Sequence, residues 1–330
     1  MSGNLSREGR DTMEYLQLAS IDTPISRVAL GGCPLGGHGW GEVDDRDSIA
    51  TIHKALDAGI NFYDTADIYG LGHSEEILSR GLGEDREHVV IATKFGVRQN
   101  NNGDTFFDVS PTWARQAVEH SLQRLKVDAI SLYYMHWPDG ETAIEDVVGV
   151  LADLKQEGKI LGIGLSNVSP GEVERAASIA TISAIQVQYS LIDREVAEKL
   201  LRVTAEYKIP LVTWGSLGQG ILSGKYNEAS VFKSNDRRSR YENFREPKLS
   251  QNLRVVKELA RIAKQCQSTP SQVAIRWLLD QFGVGVALFG AKTFEQVSEN
   301  VNAINLWLSE KQLTDLTQVA CGQRMIREAC

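Results

Sequence analysis

The chain has 330 residues, 42% of them hydrophobic, and a formal net charge of -8, enough to bury a large core in one big domain or two ordinary ones. The acidity argues against a duplex nucleic-acid binder, whose affinity comes mainly from neutralising phosphates. No apolar run reaches the roughly 18 to 20 residues that cross a bilayer; Phe282 to Ala291 is shorter and holds three glycines, so a soluble protein with no membrane partner is expected.

In chain order, residues 1–12 are polar and mixed in charge, read as a frayed tail and not a secretory signal. Residues 13–330 then read as a single domain. Met13 to Ser26 suits a hairpin. Eight apolar or β-branched runs follow, at Val28 to Gly32, Ile60 to Tyr63, Val89 to Thr93, Ile130 to Met135, Leu161 to Leu165, Ala184 to Val187, Pro210 to Trp214 and Val284 to Phe289. They lack polar alternation, as strands buried on both faces of a parallel sheet do.

Helical patterns alternate with them: Ser48 to Ala58, Ser74 to Leu82, a helix opened by Ser110-Pro111, one carrying Ile144, Val147, Val148, Leu151 and Leu154, then Gly171 to Ala180, Glu195 to Tyr207, Ser271 to Gln281 and Phe294 to Ala303. Additional helices fit Asn252 to Cys266 and Ser309 to Val319. Between Ser223 and Leu249 the bases Lys225, Lys233, Arg237, Arg238, Arg240, Arg245 and Lys248 outnumber the acids, which suits either a solvated surface loop or a loop lying over an anionic cofactor. The cysteines Cys33, Cys266, Cys321 and Cys330 form no C-x-x-C pair, and a reducing cytoplasm is the expected compartment.

This alternation allows a doubly wound sheet or a closed (β/α)8 TIM barrel. The count of strands and the absence of G-x-G-x-x-G after the first of them favour the barrel, with an N-terminal hairpin and extra helices outside. Asp64, Tyr69, Lys94 and His136 fall at or just after the carboxyl ends of successive strands, where barrel enzymes carry their chemistry. A carboxylate, a phenol, an amine and an imidazole gathered there suit proton donation. His38, His53, His73, His88 and His120 show no ligand spacing, so no metal site is expected.

The chain resembles the aldo-keto reductase family, on Asp64-Thr-Ala-Asp-Ile-Tyr-Gly70 with Gly72-His-Ser-Glu-Glu76, Ala92-Thr-Lys-Phe95, His136-Trp-Pro-Asp139, Gly162-Ile-Gly-Leu-Ser-Asn167, Gln186-Val-Gln-Tyr-Ser190, Trp214-Gly-Ser-Leu-Gly-Gln-Gly220 and Gly290 to Asn300. The resemblance implies a barrel enzyme with NADP(H), or NAD(H), lying across its mouth. It implies that Ser166, Asn167 and Gln188 hold the carboxamide and that Trp214 stacks on the nicotinamide. Gly215, Ser216, Leu217, Gly218 and Gly220 would then line the pyrophosphate, and Gly290, Ala291, Lys292, Gln296, Glu299 and Asn300 surround the adenosine. Trp214 stands where tyrosine is commoner, Gly215-Ser216 where Ser-Pro is usual, and Phe289 where proline precedes the glycine.

In that setting Tyr69 would protonate a carbonyl oxygen during hydride transfer. An ammonium about 4 Å away, at an effective dielectric of about 20, would favour its phenolate by up to ~4 kcal/mol and bring the phenol near working pH. Asp64 would keep Lys94 charged, and a neutral His136 would orient the substrate. Lys292, with Thr293 and Gln296, favours NADP(H) through its 2′-phosphate. Trp40, Ile68, Phe95 and Trp137 are expected to wall a pocket for a small-molecule carbonyl substrate, with specificity in the loops Leu35 to Val43 and Gly96 to Asp108. Two alternatives stand beside a carbonyl reductase: a cofactor-binding regulatory subunit like the potassium-channel β subunits, and an NAD-dependent sugar or alcohol dehydrogenase. Natural substrate and oligomeric state are not legible.

Overall fold

The structure is a computed structural model that describes residues 13–37, 39–40, 43–234 and 236–325; the expected tail, His38 and Cys330 lie outside these. The chain opens with β1 (Tyr15–Leu16) and β2 (Ile25–Ser26), the expected antiparallel hairpin. Then follow β3 (Val28–Gly31), α1 (Asp45–Asp57), β4 (Phe62–Asp64), α2 (His73–Leu82), β5 (Val90–Phe95), β6 (Val97–Gln99), β7 (Thr105–Phe107), α3 (Pro111–Leu125), β8 (Ile130–Met135), α4 (Ile144–Gln156) and β9 (Ile160–Ser166). The second half runs α5 (Pro170–Ile179), β10 (Ile182–Gln188), α6 (Glu195–Glu206), β11 (Leu211–Trp214), α7 (Lys248–Gln265), α8 (Pro270–Leu279), β12 (Val284–Gly290), α9 (Phe294–Val301) and α10 (Glu310–Met325).

Eight parallel strands close into a barrel in the order β3-β4-β5-β8-β9-β10-β11-β12, with Ala287 of β12 registered on Val28 of β3. Local chemistry sets where helices begin. Ser110 Oγ accepts from Trp113 N ahead of Pro111, and capping boxes pair Ser169 with Glu172 and Thr269 with Gln272.

The core has two layers. An outer one lies between strands and helices, where Val147, Leu151, Ile185 and Trp277 are buried. An inner one fills the barrel with Phe62, Leu132, Tyr134, Val212 and Val286, reached from below by Leu18, Ile21 and Ile25 of the hairpin segment. Glycine makes room for that plug: a Cβ on Gly285 would stand 2.7 Å from Leu16 Cδ2. The floor is thus closed, and polar side chains collect at the opposite, carboxyl-terminal end.

Beyond the expected elements, β6 and β7 form a small antiparallel hairpin at the rim. Its strands are too short for a periodic pattern, and its turn is held by Asn100 Oδ1, which accepts from Asn102 N and Asp104 N at 2.9 Å each. The insertion after β11 carries 3-10 turns at Gly218–Ser223, Arg237–Ser239 and Glu242–Phe244 before α7, against which α10 packs. Among the described residues no helix is long and apolar enough to cross a membrane.

Candidate active site

Strand β4 ends on Asp64 and β5 carries Lys94 one residue before its end, both facing into the barrel. Lys94 is fully buried; its Nζ donates to Asp64 Oδ1 at 2.6 Å and to the Thr65 carbonyl at 2.7 Å. Gln186 Nε2 donates to the other carboxylate oxygen at 2.7 Å. Above this pair, the Tyr69 ring centroid lies 5.1 Å from Lys94 Nζ and 5.7 Å from the His136 ring, edge to face. His136 is placed by its backbone: its N–H donates to the Phe95 carbonyl at 2.9 Å, and Asn167 Nδ2 donates to its carbonyl at 3.0 Å.

The electrostatics follow from burial. Desolvation, and secondarily the Lys94 charge, hold His136 well below the ordinary histidine value of 6.5, so the ring is neutral; its Nδ1 is buried without a partner. The expectation that Lys94 brings the Tyr69 phenol near neutral pH is corrected. Burial pushes that phenol well above its ordinary value of 10, Cys33 and Asp64 push the same way, and Arg237 opposes them. The carboxylate at 2.6 Å from Nζ cancels much of the ammonium's field at the ring, and desolvation prevails. Tyr69 is therefore a protonated phenol at neutral pH.

A cavity of about 810 Å³ opens over these groups. Asp64, Tyr69 and His136 line it, with Lys94 beneath. So do Ser166, Asn167, Trp214, Gly215, Ser216, Leu217 and Gly220 on one side, and Gly290, Lys292, Gln296, Glu299 and Asn300 on the other. Trp40, Ile68 and Trp137 stand on its wall. Asn167 links the ring sites: its Oδ1 accepts from Trp214 Nε1 at 3.2 Å and its Nδ2 donates to Ser166 Oγ at 2.9 Å.

Besides Lys94, four expected residues do not line the cavity. Phe95 alternates outward from Lys94 along β5 and stacks on Tyr133 at 5.1 Å in the outer core. Ala291 is buried in the same outer layer. Gly218 turns toward the loop after β10, where an added Cβ would meet Ile192 Cδ1 at 2.6 Å. Gln188 ends β10 beside Gly215, while Gln186, on the same strand face but deeper, reaches the cavity.

Several lining residues carried no signal as single positions: Cys33, Gln186, Gln219 and Tyr241; Phe107 comes from the loop Gly96 to Asp108, where specificity was expected. The basic stretch did carry one. Lys225, Arg237 and Arg238 line the cavity, whereas Lys233, Arg240 and Arg245 are exposed, so each of the two readings of that stretch describes part of it. Arg237 N donates to the Gly39 carbonyl at 2.9 Å and Lys292 Nζ donates to the Trp40 carbonyl, drawing this belt and β12 onto the loop after β3. Arg238 is paired with Asp236, Nη2 to Oδ2 at 2.5 Å and Nε to Oδ1 at 2.9 Å. Burial and the neighbouring Arg238 charge lower the pKa of Lys292, so two cations crowd one end of the cavity.

The cavity fits a dinucleotide. Its volume suffices, Trp214 offers a flat face, Gly215 and Gly220 with φ of 67° and 99° let backbone approach a phosphate closely, and Lys225, Arg238 and Lys292 supply positive charge.

Comparison with known proteins bears on this geometry. The sequence profile described as the aldo/keto reductase family matches residues 27–320. Aldo-keto reductase YhdN of Bacillus subtilis is 36% identical over 311 residues, spanning 93% of each chain. The Schizosaccharomyces pombe aldo-keto reductase yakc, named with NADP(+), is 33% identical over 310 residues, covering 92% of this chain and 88% of its own. Among solved structures, a glycerol dehydrogenase from Gluconobacter oxydans superimposes with a TM-score of 0.87 at 36% identity, covering 93% of this chain and 95% of that one. The holo form of an aldo-keto reductase from Bacillus halodurans gives a TM-score of 0.76 at 25% identity over 93% and 96%.

Proposed function

The chain belongs to the aldo/keto reductase family of oxidoreductases, and from that premise we propose that it reduces an aldehyde or ketone to an alcohol with NADP(H), Tyr69 acting as general acid. The observation that carries this reading is the buried Lys94–Asp64 pair, 2.6 Å apart, directly under a protonated Tyr69 and a neutral His136 at the floor of the cavity.

The bound nicotinamide supplies the hydride. Ser166, Asn167 and Trp214 would hold its ring, Gly215, Ser216, Leu217, Gly220 and Lys225 the diphosphate, and Lys292, Gln296 and Asn300 the adenosine end with its 2′-phosphate. His136, uncharged, offers an N–H to the substrate oxygen and sets its angle. Tyr69 gives its proton to that oxygen as the carbonyl becomes an alkoxide. The Lys94 ammonium, anchored by Asp64 and the Thr65 carbonyl, then stabilises the phenolate until a proton returns from solvent. Trp40, Ile68, Phe107 and Trp137 bound the space for the rest of the substrate and exclude water from it.

Tyr69→Phe tests the assignment. Turnover of reduced nucleotide with a panel of aldehydes should fall by about 10² to 10⁴ while NADPH affinity stays within about twofold; activity retained within a few-fold would require another donor. Similarity to a glycerol dehydrogenase favours a second reading, oxidation of an alcohol with Tyr69 as base. Initial rates with glycerol and oxidised nucleotides, NADP+ and NAD+, against rates with aldehydes and NADPH separate the two. No turnover in either direction would favour the regulatory-subunit role.

A further inference from the structure

Gln219 stands out within the glycine turn. It lines the cavity, and its φ of 56° is left-handed, a conformation that residues other than glycine keep only where their surroundings hold them. What holds it is a chain of side chains outside the cavity.

Asp193, in the loop after β10, accepts through Oδ2 from Asn243 Nδ2 at 3.1 Å. A carboxylate can only accept, so this contact turns the Asn243 amide nitrogen toward it. The same Nδ2 donates to Gln219 Oε1 at 2.8 Å. The far side agrees: Asn243 Oδ1 accepts from Asn252 Nδ2 at 3.3 Å, and that nitrogen also donates to the Asn243 carbonyl at 3.1 Å. With Oε1 engaged, Gln219 presents Nε2, a donor, over the turn; it lies 3.5 Å from where a Cβ on Gly215 would stand. Asn243 and Asn252 are nearly or fully buried, so water does not scramble the polarity.

Resting on the reading that the cavity takes NADP(H), we infer that Gln219 binds an anionic oxygen of the diphosphate through Nε2, and that Asp193 and Asn243 are positioning residues that set the polarity of its amide. The relay joins three elements, the loop after β10, the belt before α7 and the turn after β11. Seating the belt thus fixes which end of the Gln219 amide faces the nucleotide.

The test titrates the full chain, freed of nucleotide, with NADPH and with 2′-AMP, followed by tryptophan quenching, since Trp214 lies in the cavity. Gln219→Ala should weaken NADPH about tenfold, and Gln219→Glu, which turns a donor into a charged acceptor, about a hundredfold. Asn243→Asp should weaken NADPH about tenfold in the wild-type background and no further in Gln219→Ala. Affinity for 2′-AMP, which has no diphosphate bridge, should stay within about twofold throughout, a result that general loosening of the fold would not give. Should Asn243→Asp fold poorly, Gln219→Glu at the cavity wall decides alone. Wild-type NADPH affinity in Gln219→Glu, or a full Asn243→Asp loss persisting without Gln219, overturns the inference. Failure of the wild type to bind NADPH would instead overturn the cofactor reading beneath it.

Discussion

Replacing Lys94 by methionine keeps the length of the side chain and removes its charge, leaving Asp64 only 4% exposed with Gln186 as its remaining donor. At 2.6 Å and an effective dielectric of about 20 the gross attraction lost is about 6 kcal/mol. Desolvation of the ions offsets part of that, and removing one member of a buried pair costs about 3 to 5 kcal/mol in practice. For a chain of this length the unfolding entropy is about 0.7 kcal/mol/K, so the Tm should fall by about 4 to 7 °C. Adding Asp64→Asn to the same molecule removes the stranded charge and should recover at least half of that fall. Activity should behave differently, dropping about 10²-fold or more in both variants, because under the proposed mechanism the phenolate on Tyr69 loses its cation in each. Calorimetry and nucleotide-coupled turnover, run on the same preparations, check this. A double variant as unstable as the single one, or activity that returns with the Tm, would refute the assignment of separate roles to the pair and the ammonium.

Three other outcomes are expected. His136 stays uncharged in the folded chain while the unfolded chain takes up a proton below about 6.5; the unfolded state then binds more protons, and stability is lost as pH falls through that value, by up to about 1.4 kcal/mol per pH unit. The Tm advantage of wild type over His136→Gln should therefore shrink from about pH 7.5 to 5.5 and stay flat above it, as thermal unfolding across that range will reveal. Asp67, whose Oδ1 is buried without a partner, is held well above the ordinary carboxyl value of 3.8, first by burial and then by Glu75. Its folded form keeps a proton that the unfolded chain releases, so its stability contribution, complete below 3.8, is lost as pH rises; Asp67→Asn should stabilise the protein at pH 8 by about 1 to 3 kcal/mol in urea unfolding and confer no gain near pH 3.8. Lys292→Met should weaken NADPH about tenfold more than NADH by fluorescence titration, and equal losses would contradict the 2′-phosphate assignment.

Much of this protein was legible in one dimension because barrel strands buried on both faces are written as unbroken apolar runs, with polar side chains at or just after their carboxyl ends. Asp64, Tyr69, Lys94 and His136 could be picked out for that reason, and the turn from Trp214 to Gly220 for its glycines. Strand period puts Lys94 and Phe95 on opposite sides of β5, so Phe95 belongs to the outer core and not to the pocket wall. Depth within the barrel is not a periodic property: Gln186 and Gln188 share a face, and only the closed sheet decides that Gln186 reaches Asp64 and the cavity. The β6–β7 hairpin fell below the length at which a pattern can show itself.

The sequence by itself determined the eightfold alternation, the order of the strands' polar ends and which four polar side chains stand there, since these depend on local periodicity and residue type. Tertiary structure alone decided the rest: that desolvation outweighs the ammonium at Tyr69, that Arg237 crosses to the Gly39 loop, and that Asn243 bridges Asp193 and Gln219. Those outcomes depend on burial and on distances between residues far apart in the chain, which exist only once the barrel has closed and the belt lies across its mouth.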